Sequence, residues 1–133
     1  MAKRVNPSVL DKALDSIKTG SGTVGPCNKM VVCSAEPTNY TEANATYMLA
    51  NVAMTGTDFT IANGDGAGNT PRKVTSGAKN GISVTNSGTA THVAWIDSTN
   101  AILLEVTTCT SQALTAGNTV NVPAWKMEIG APT

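Results

Sequence analysis

The stretch that most constrains the fold is the last third of the chain, from Thr89 to Ile129, where β-branched segments alternate with turn-forming residues. The segments that predict strands there are 89–97, 101–108, 119–122 and 125–129. Between the first two, Ser98–Asn100 offers small hydroxyl and amide side chains, which satisfy local backbone groups where a chain reverses. Pro123 separates the last two strands. Strands of this length at this spacing predict an antiparallel sandwich or barrel.

The middle of the chain continues the pattern of short strands and tight turns. Further strands are predicted at 30–33, 58–62, 72–75 and 82–85. The glycine-rich segment Asn63–Asn69 predicts a hairpin tip, and Asn80–Gly81 and Asn86–Gly88 are turn signals on either side of one strand. A count of about eight strands is typical of a sandwich. We therefore expect a mainly β, jelly-roll-like antiparallel β-sandwich.

The sequence predicts one convincing helix, from Val5 to Lys18. We therefore expect a β-sandwich domain with a short N-terminal α-helix. Asn6 suits the N-cap, and Pro7 suits the first helical position, where its missing N–H costs nothing. The apolar face follows the i, i+3, i+4, i+7 pattern and comprises Leu10, Ala13, Leu14 and Ile17. A helix of about three turns is not stable alone. Its apolar face must therefore either cover an open end of the β domain or bind a partner subunit.

The sequence suggests that the chain has two parts, one with the predicted helix and one with the predicted strands. Residues 1–26 are expected to form the helix and a flexible connector, which would act as an anchor or a plug, because Thr19–Pro26 is rich in glycine. Residues 27–133 are expected to form the β-sandwich domain. Inside it, residues 41–48 are ambiguous between helix and strand, and we favour a short helix that leads into a strand at 49–52.

Composition narrows the classes of partner. Charged residues make up 14% of the chain, against roughly a quarter in ordinary soluble domains. Nine basic and nine acidic residues give a net charge of zero, which argues against binding nucleic acid, because that needs a basic face. No apolar run has the length of a membrane span, and the N-terminus lacks the apolar core of a secretory signal. We expect a protein made and kept in a cytoplasm until it is assembled or released, with no membrane and no nucleic-acid partner.

Candidate catalytic and metal-binding residues are few. The only histidine, His92, lies in a predicted strand without a marked nucleophile or base, so we expect a structural or surface role for it. The segment Gly64–Gly68 predicts a hairpin rather than a phosphate loop, because Pro71 and a strand follow it. Asp58, Asn63 and Asp65 could offer oxygen ligands, but the calcium loop of about twelve residues with its terminal glutamate is absent. We expect no enzyme activity, no metal and no cofactor.

The cysteines and tryptophans have structural interpretations. Cys27, Cys33 and Cys109 are an odd number without C-x-x-C spacing, so three reduced thiols are expected, while a Cys27–Cys33 bridge stays open. Trp95 is expected in the core, since large residues in the strands of an aromatic-poor sandwich are usually core or interface anchors. Trp125 stays open between the core and a subunit contact.

The chain resembles a group of small virion proteins of tailed bacteriophages and prophages, encoded among head and tail structural proteins. The segments that carry the resemblance are Val5–Leu10 with the helix that follows, Val31–Pro37, Ala90–Ala94 with Asp97, and Leu114–Ala124. Together they span nearly the whole chain, although each segment alone is unspecific. The resemblance implies a structural role in the virion without catalysis.

Two virion roles follow from the resemblance, and a third role comes from the fold class. The first is a capsid decoration (cement) protein on the capsid exterior, a homotrimer by analogy, with the major capsid protein or another virion protein as partner. The second is an accessory protein of the neck, tail or fibre, and the third is a carbohydrate-binding module. The expected partner-interface residues are Val5, Leu10, Ala13, Leu14, Ile17 and Trp125.

Overall fold

The computed structural model describes residues 5–66 and 71–130, which form one α-helix and nine β-strands. The helix α1 spans Pro7–Lys18, and the strands are β1 (Lys29–Cys33), β2 (Met48–Ala53), β3 (Phe59–Asn63), β4 (Arg72–Ser76), β5 (Lys79–Ser83), β6 (Gly88–Asp97), β7 (Ile102–Leu114), β8 (Thr119–Val122) and β9 (Lys126–Ile129). All strand pairs among them are antiparallel. The predicted fold class, a mainly β sandwich-like protein with one short N-terminal helix, is confirmed.

The strands form three sheets around one main core. A four-stranded sheet has the order β2-β1-β6-β7, and the facing strands form a three-stranded sheet, β3-β4-β9, and a two-stranded sheet, β5-β8. Strands β1 and β6 lie in the middle of the four-stranded sheet. They are rich in apolar residues because successive side chains point to opposite faces, and both faces of a central strand are buried here. Register places Val32 opposite Val93 on the face toward the other sheets, and Val31 opposite Ala94 on the reverse face.

Trp95 lies at the centre of the main core and is fully buried, as predicted. Phe59 meets it edge to face, with ring centroids 5.2 Å apart, and Trp125 lies 4.0 Å away at an interplanar angle of 33°. A smaller cluster on the reverse face of the four-stranded sheet includes Ala43 and Ile96. Ala43 belongs to a π-helical turn, Glu42–Thr46, where the sequence predicted a short helix before β2.

The N-terminal helix begins and packs largely as its sequence predicts. Asn6 Oδ1 accepts the Ser8 N–H at 2.9 Å, and Pro7 occupies the first turn. The residues of α1 that lie buried are Leu10, Leu14 and Ile17. Ala13, which the pattern placed on the same face, is exposed, so that part of the prediction is wrong: the buried stripe follows i, i+4, i+7. Arg72 on β4 binds Asp11 at 2.6 Å, and α1 thus covers the β domain.

The segment between α1 and β1 is a compact turn in the structure. Thr19 and Gly20 donate their N–H groups to Asp15 O at 2.8 and 3.2 Å. Cys27 donates to Ile17 O at 2.8 Å, and Gly25 is buried against the helix end. The division into residues 1–26 and 27–133 stays a prediction, while Leu14 and Ile17 of the helix belong to the same core cluster as the apolar side chains of the strands. None of the helices described has the length and apolar character needed to cross a membrane.

Two strands, β5 and β7, differ from the prediction by more than one residue at a boundary. The strand predicted to end at Thr108 continues to Leu114, because its polar second half pairs with β6 from Gly88 onward, across bulges. The strand predicted at 82–85 is β5, which ends at Ser83, and Val84 instead forms an isolated bridge with Ala50 of β2. In both cases the end of the strand depends on pairing with another strand rather than on the local residue types.

Candidate functional site

A groove of about 380 Å³ opens between β7 and the segment that joins β8 to β9. Its apolar lining comprises Val32, Ala90, Val93, Val120, Val122 and Trp125. Its polar lining consists of threonine, glutamine, asparagine and cysteine side chains from β7 and β8, and no lining residue is charged. Such a surface offers van der Waals contact and neutral hydrogen bonds.

The turn before β7 is fixed by Asp97, a buried carboxylate at the end of β6. It accepts the N–H groups of Thr99 and Asn100 at 2.9 and 3.1 Å and the Asn100 side-chain amide at 2.6 Å. Hydrogen bonds from Asn100, Thr99 and Gly25 lower the pKa of Asp97 despite its burial. The sequence predicted a turn at 98–100, and the structure shows that the buried carboxylate before it organises the turn.

Strand β7 is 13 residues long and forms an open edge of the four-stranded sheet. Among the residues described, its backbone hydrogen bonds to other segments all go to β6. The opposite edge of the same sheet, β2, is covered. The N–H groups of Thr85 and Asn86 donate to Leu49 O at 2.8 and 3.0 Å, beside the Ala50–Val84 bridge.

Trp125 belongs both to the core and to the groove. Its indole N–H points at Met30 Sδ at 3.5 Å, and its carbonyl oxygen accepts the Ser76 N–H at 2.9 Å. The ring packs on Trp95 and lies half-buried where β8 leads into β9. The sequence left Trp125 open between the core and a subunit contact. In the structure this side chain is packed in the core and also forms part of a recess open to solvent.

Glu105 is the residue near the groove that the sequence interpretation missed. It lies on β7 opposite Trp95, on the same face as Thr107 of the groove lining. Its Oε2 and the Trp95 indole N–H are both buried without a hydrogen-bond partner among the described residues. Burial raises the pKa of Glu105 to about 7. A signal was available, because this carboxylate interrupts the apolar run from Ile102 to Val106.

His92 and the cysteines do not form a nucleophilic site. His92 is half-buried on β6 opposite Cys33, and Thr91 Oγ1 lies 2.9 Å from its Nδ1. Burial raises the pKa of the Cys33 and Cys27 thiols to about 12, so neither supplies a thiolate at neutral pH. All three cysteines are free thiols, as predicted.

The oxygen ligands considered for calcium lie at opposite ends of β3. Asp58 precedes the strand and binds Lys79 at 2.6 Å. Asp65 follows it and binds both Lys126 and Lys73 at 2.6 Å, and these hydrogen bonds lower its pKa to about 2. No group of three or more histidine, cysteine, aspartate or glutamate side chains within residues 5–66 and 71–130 is placed to hold a metal ion.

The helix residues predicted to contact a partner are mostly inside the molecule. Leu14 and Ile17 are buried in the main core, so a partner could reach them only if α1 left its domain. Ala13 and Val9 lie on the outer side of the helix, where Val9 is 61% exposed. Fold and groove together define a small antiparallel β protein with an open sheet edge. No protein-family model, curated protein or solved structure matches this chain.

Proposed function

We propose that this chain is a structural protein of a tailed-bacteriophage virion, and more narrowly a decoration protein that binds the major capsid protein on the capsid exterior. The observation that favours a structural role over catalysis is the uncharged groove beside an open strand edge. Neutral side chains and free backbone groups suit contact with another polypeptide. The resemblance of the four sequence segments to phage virion proteins supplies the virion context.

The distribution of charge supports the same role. Most of the described basic side chains on the strands are bound to carboxylates of the chain itself, including Arg72 to Asp11 and Lys73 to Asp65. The exposed residues of the described chain are mainly threonine, serine and asparagine. Such a surface permits close packing against neighbours in a dense lattice, because few like charges oppose one another.

A carbohydrate-binding role is not favoured by the groove. Stacking on a sugar needs an exposed aromatic face, whereas Trp125 is packed against Trp95. The accessory neck, tail or fibre role is the alternative that an experiment must separate from decoration.

The test is to locate and count the chain in purified virions of the phage that encodes it. Quantitative mass spectrometry should give a copy number comparable to that of the major capsid protein, and a virion map should show this β domain outside the shell. A low copy number with density at the neck or tail would favour the accessory role. Absence from the virion would contradict both roles.

A directed prediction concerns the outer side of α1, which we assign to the capsid contact. Val9→Asp with Ala13→Asp should lower virion occupancy at least about tenfold, because the two exposed positions are adjacent on the helix surface and a charge there opposes apolar burial. Thr60→Asp, at an exposed position of β3, is the matched control and should leave occupancy unchanged. The occupancy of each variant is measured on assembled virions. Equal occupancy for both variants would show that α1 is not part of the capsid contact.

A further inference from the structure

The outer edge of β7 is long and uncovered. Natural sheet edges are often short, carry lysine or proline, are interrupted by bulges, or are covered by another segment. Of these features, β7 has only irregularities in its register with β6, one between Thr108 and Gln112 and one between Leu103 and Glu105. Strand β7 has 13 residues, and none of them is lysine or proline. Its residues 108 and 110–113 are exposed, and no described segment outside β6 hydrogen-bonds to its backbone. An uncovered edge of this length can act as a template for another strand.

We propose that β7 pairs antiparallel with β7 of a second copy of this chain across a two-fold axis. The pairing would join two four-stranded sheets into one continuous sheet. It does not depend on the proposed virion role. It also gives a two-fold order, whereas the three-fold expectation came from the resemblance alone.

The sheet itself selects the same strand of a second copy as the occupant. Its other edge, β2, is closed by the Ala50–Val84 bridge and by the N–H groups of Thr85 and Asn86. These contacts cover β2 at Leu49 and Ala50, whereas no described segment covers the outer side of β7, which is the longer open edge of this sheet. When β7 meets β7 of a partner, both open edges are used at once and the assembly closes as a dimer.

The sequence of β7 is compatible with pairing to itself. From Val106 to Leu114 the strand carries no charge, so antiparallel self-pairing places no like charges opposite each other. Its threonine and serine side chains can form cross-strand hydrogen bonds with their counterparts. Glu105 is the one charged residue of β7 and lies near its N-terminal end. If the pairing is centred on the neutral half, Glu105 lies opposite the uncharged C-terminal end of the partner's β7.

The added strand also accounts for the groove. The groove opens beside β7, and its apolar floor includes Val93 and Trp125. A strand bonded to the outer edge of β7 directs alternate side chains toward that floor, because side chains alternate between the two faces of a sheet. The partner strand thus closes the mouth of the groove and shields apolar surface from water.

The experiment measures the mass of the purified full chain in solution and the amide hydrogen exchange of β7. We expect a mass of twice the 13.6 kDa chain, and exchange of the peptide covering Ile102–Leu114 that slows by at least about tenfold as concentration rises. Exchange of β3 and β4 should not change with concentration. Thr110→Lys should return the protein to a monomer, because lysine on an edge opposes strand pairing. Thr60→Lys on β3 is the matched control and should stay dimeric.

Each other outcome counts against the pairing. A monomer at the highest soluble concentration overturns it, as does a trimer, an open-ended aggregate, or a dimer in which β7 exchange does not depend on concentration. A dimer that persists with Thr110→Lys also overturns it. Should Thr110→Lys fail to fold by circular dichroism, Ser111→Lys at the next exposed position serves in its place.

Discussion

The backbone geometry at position 25 requires glycine. Gly25 has φ of +66°, and a Cβ there would lie 1.8 Å from Ser16 O at the end of α1. Gly25→Ala should therefore lower the free energy of unfolding by about 3 kcal/mol or more, since both the positive φ and the clash must be relieved. Gly22→Ala is the matched control, because Gly22 has φ of +62° with open space around it. It should cost only about 1 kcal/mol.

Urea unfolding of the two glycine variants checks this expectation. Equal losses would mean that the close approach to Ser16 relaxes without cost and that only the positive φ matters. A larger loss for Gly25→Ala would show that the turn after α1 is held tightly against the helix end.

Glu105 should make stability depend on pH in an unusual direction for a carboxylate. Burial raises its folded-state pKa to about 7, above the ordinary value near 4.5, so the folded state binds more protons than the unfolded state between these values. Stability should then fall as pH rises from about 4.5 through 7. Glu105→Gln removes this titration and should stabilise the protein at pH 8 by about 1–3 kcal/mol, with partial solvent exposure lowering the figure.

The prediction for Glu105 is checked by urea unfolding at pH values from 4 to 8, in steps of about one pH unit. Wild type and Glu105→Gln should converge toward pH 4, below the ordinary carboxyl pKa near 4.5, because the carboxyl is then mostly protonated in both the folded and the unfolded state, and the two should diverge as pH rises. Parallel curves would mean that water reaches Oε2 and removes the desolvation penalty.

Among the elements, α1 gives the sharpest stability prediction. Leu14 is fully buried, whereas Val9 on the outer side is 61% exposed. Leu14→Ala should lower the free energy of unfolding by about 2–5 kcal/mol, because it leaves a cavity under the helix. Val9→Ala removes a similar amount of side chain at the surface and should change stability by under about 0.5 kcal/mol. Thermal unfolding followed by circular dichroism compares the two, and a small effect of Leu14→Ala would mean that the helix is loosely seated.

Elements with strong local signals were predictable from the sequence. The Asn6 cap, Pro7 and the apolar period place α1 to within a few residues, and turn residues place most strands. The helix face was less predictable at Ala13, because its exposure depends on where the sheet surface ends beneath the helix. The length of β7 was missed for a related reason, since a run of threonine, serine and glutamine becomes a strand only through pairing with β6.

The groove could not be predicted from local patterns. It lies between β7 and the β8–β9 segment, and their separation depends on which strands pair across the whole chain. The burial of Glu105 follows from the same long-range arrangement, because Trp95 opposite it is fixed by the main core. Only the residue type of Glu105 in an apolar run pointed to it in advance.

For the whole molecule, the shared core decides whether α1 is separable. Leu10, Leu14 and Ile17 are buried, and two of them join the core cluster that contains Trp95 and Phe59. Burying an aliphatic side chain stabilises a protein by about 1.5–3 kcal/mol, so the three together contribute roughly 4.5–9 kcal/mol. That is comparable to the entire stability of a typical domain, about 5–15 kcal/mol.

A chain that begins at Cys27 should therefore lose cooperative unfolding, because it exposes the surface of β3 and β4 that α1 covers. Near-ultraviolet circular dichroism and urea unfolding measure this, with the Val9→Ala full chain as the control that keeps a sharp transition. Adding a peptide that spans residues 5–26 should restore part of the transition if the helix acts by packing. A truncated chain that unfolds cooperatively with near-native stability would contradict the prediction. It would show instead that residues 1–26 are a separable anchor, free to leave the β domain and bind a partner.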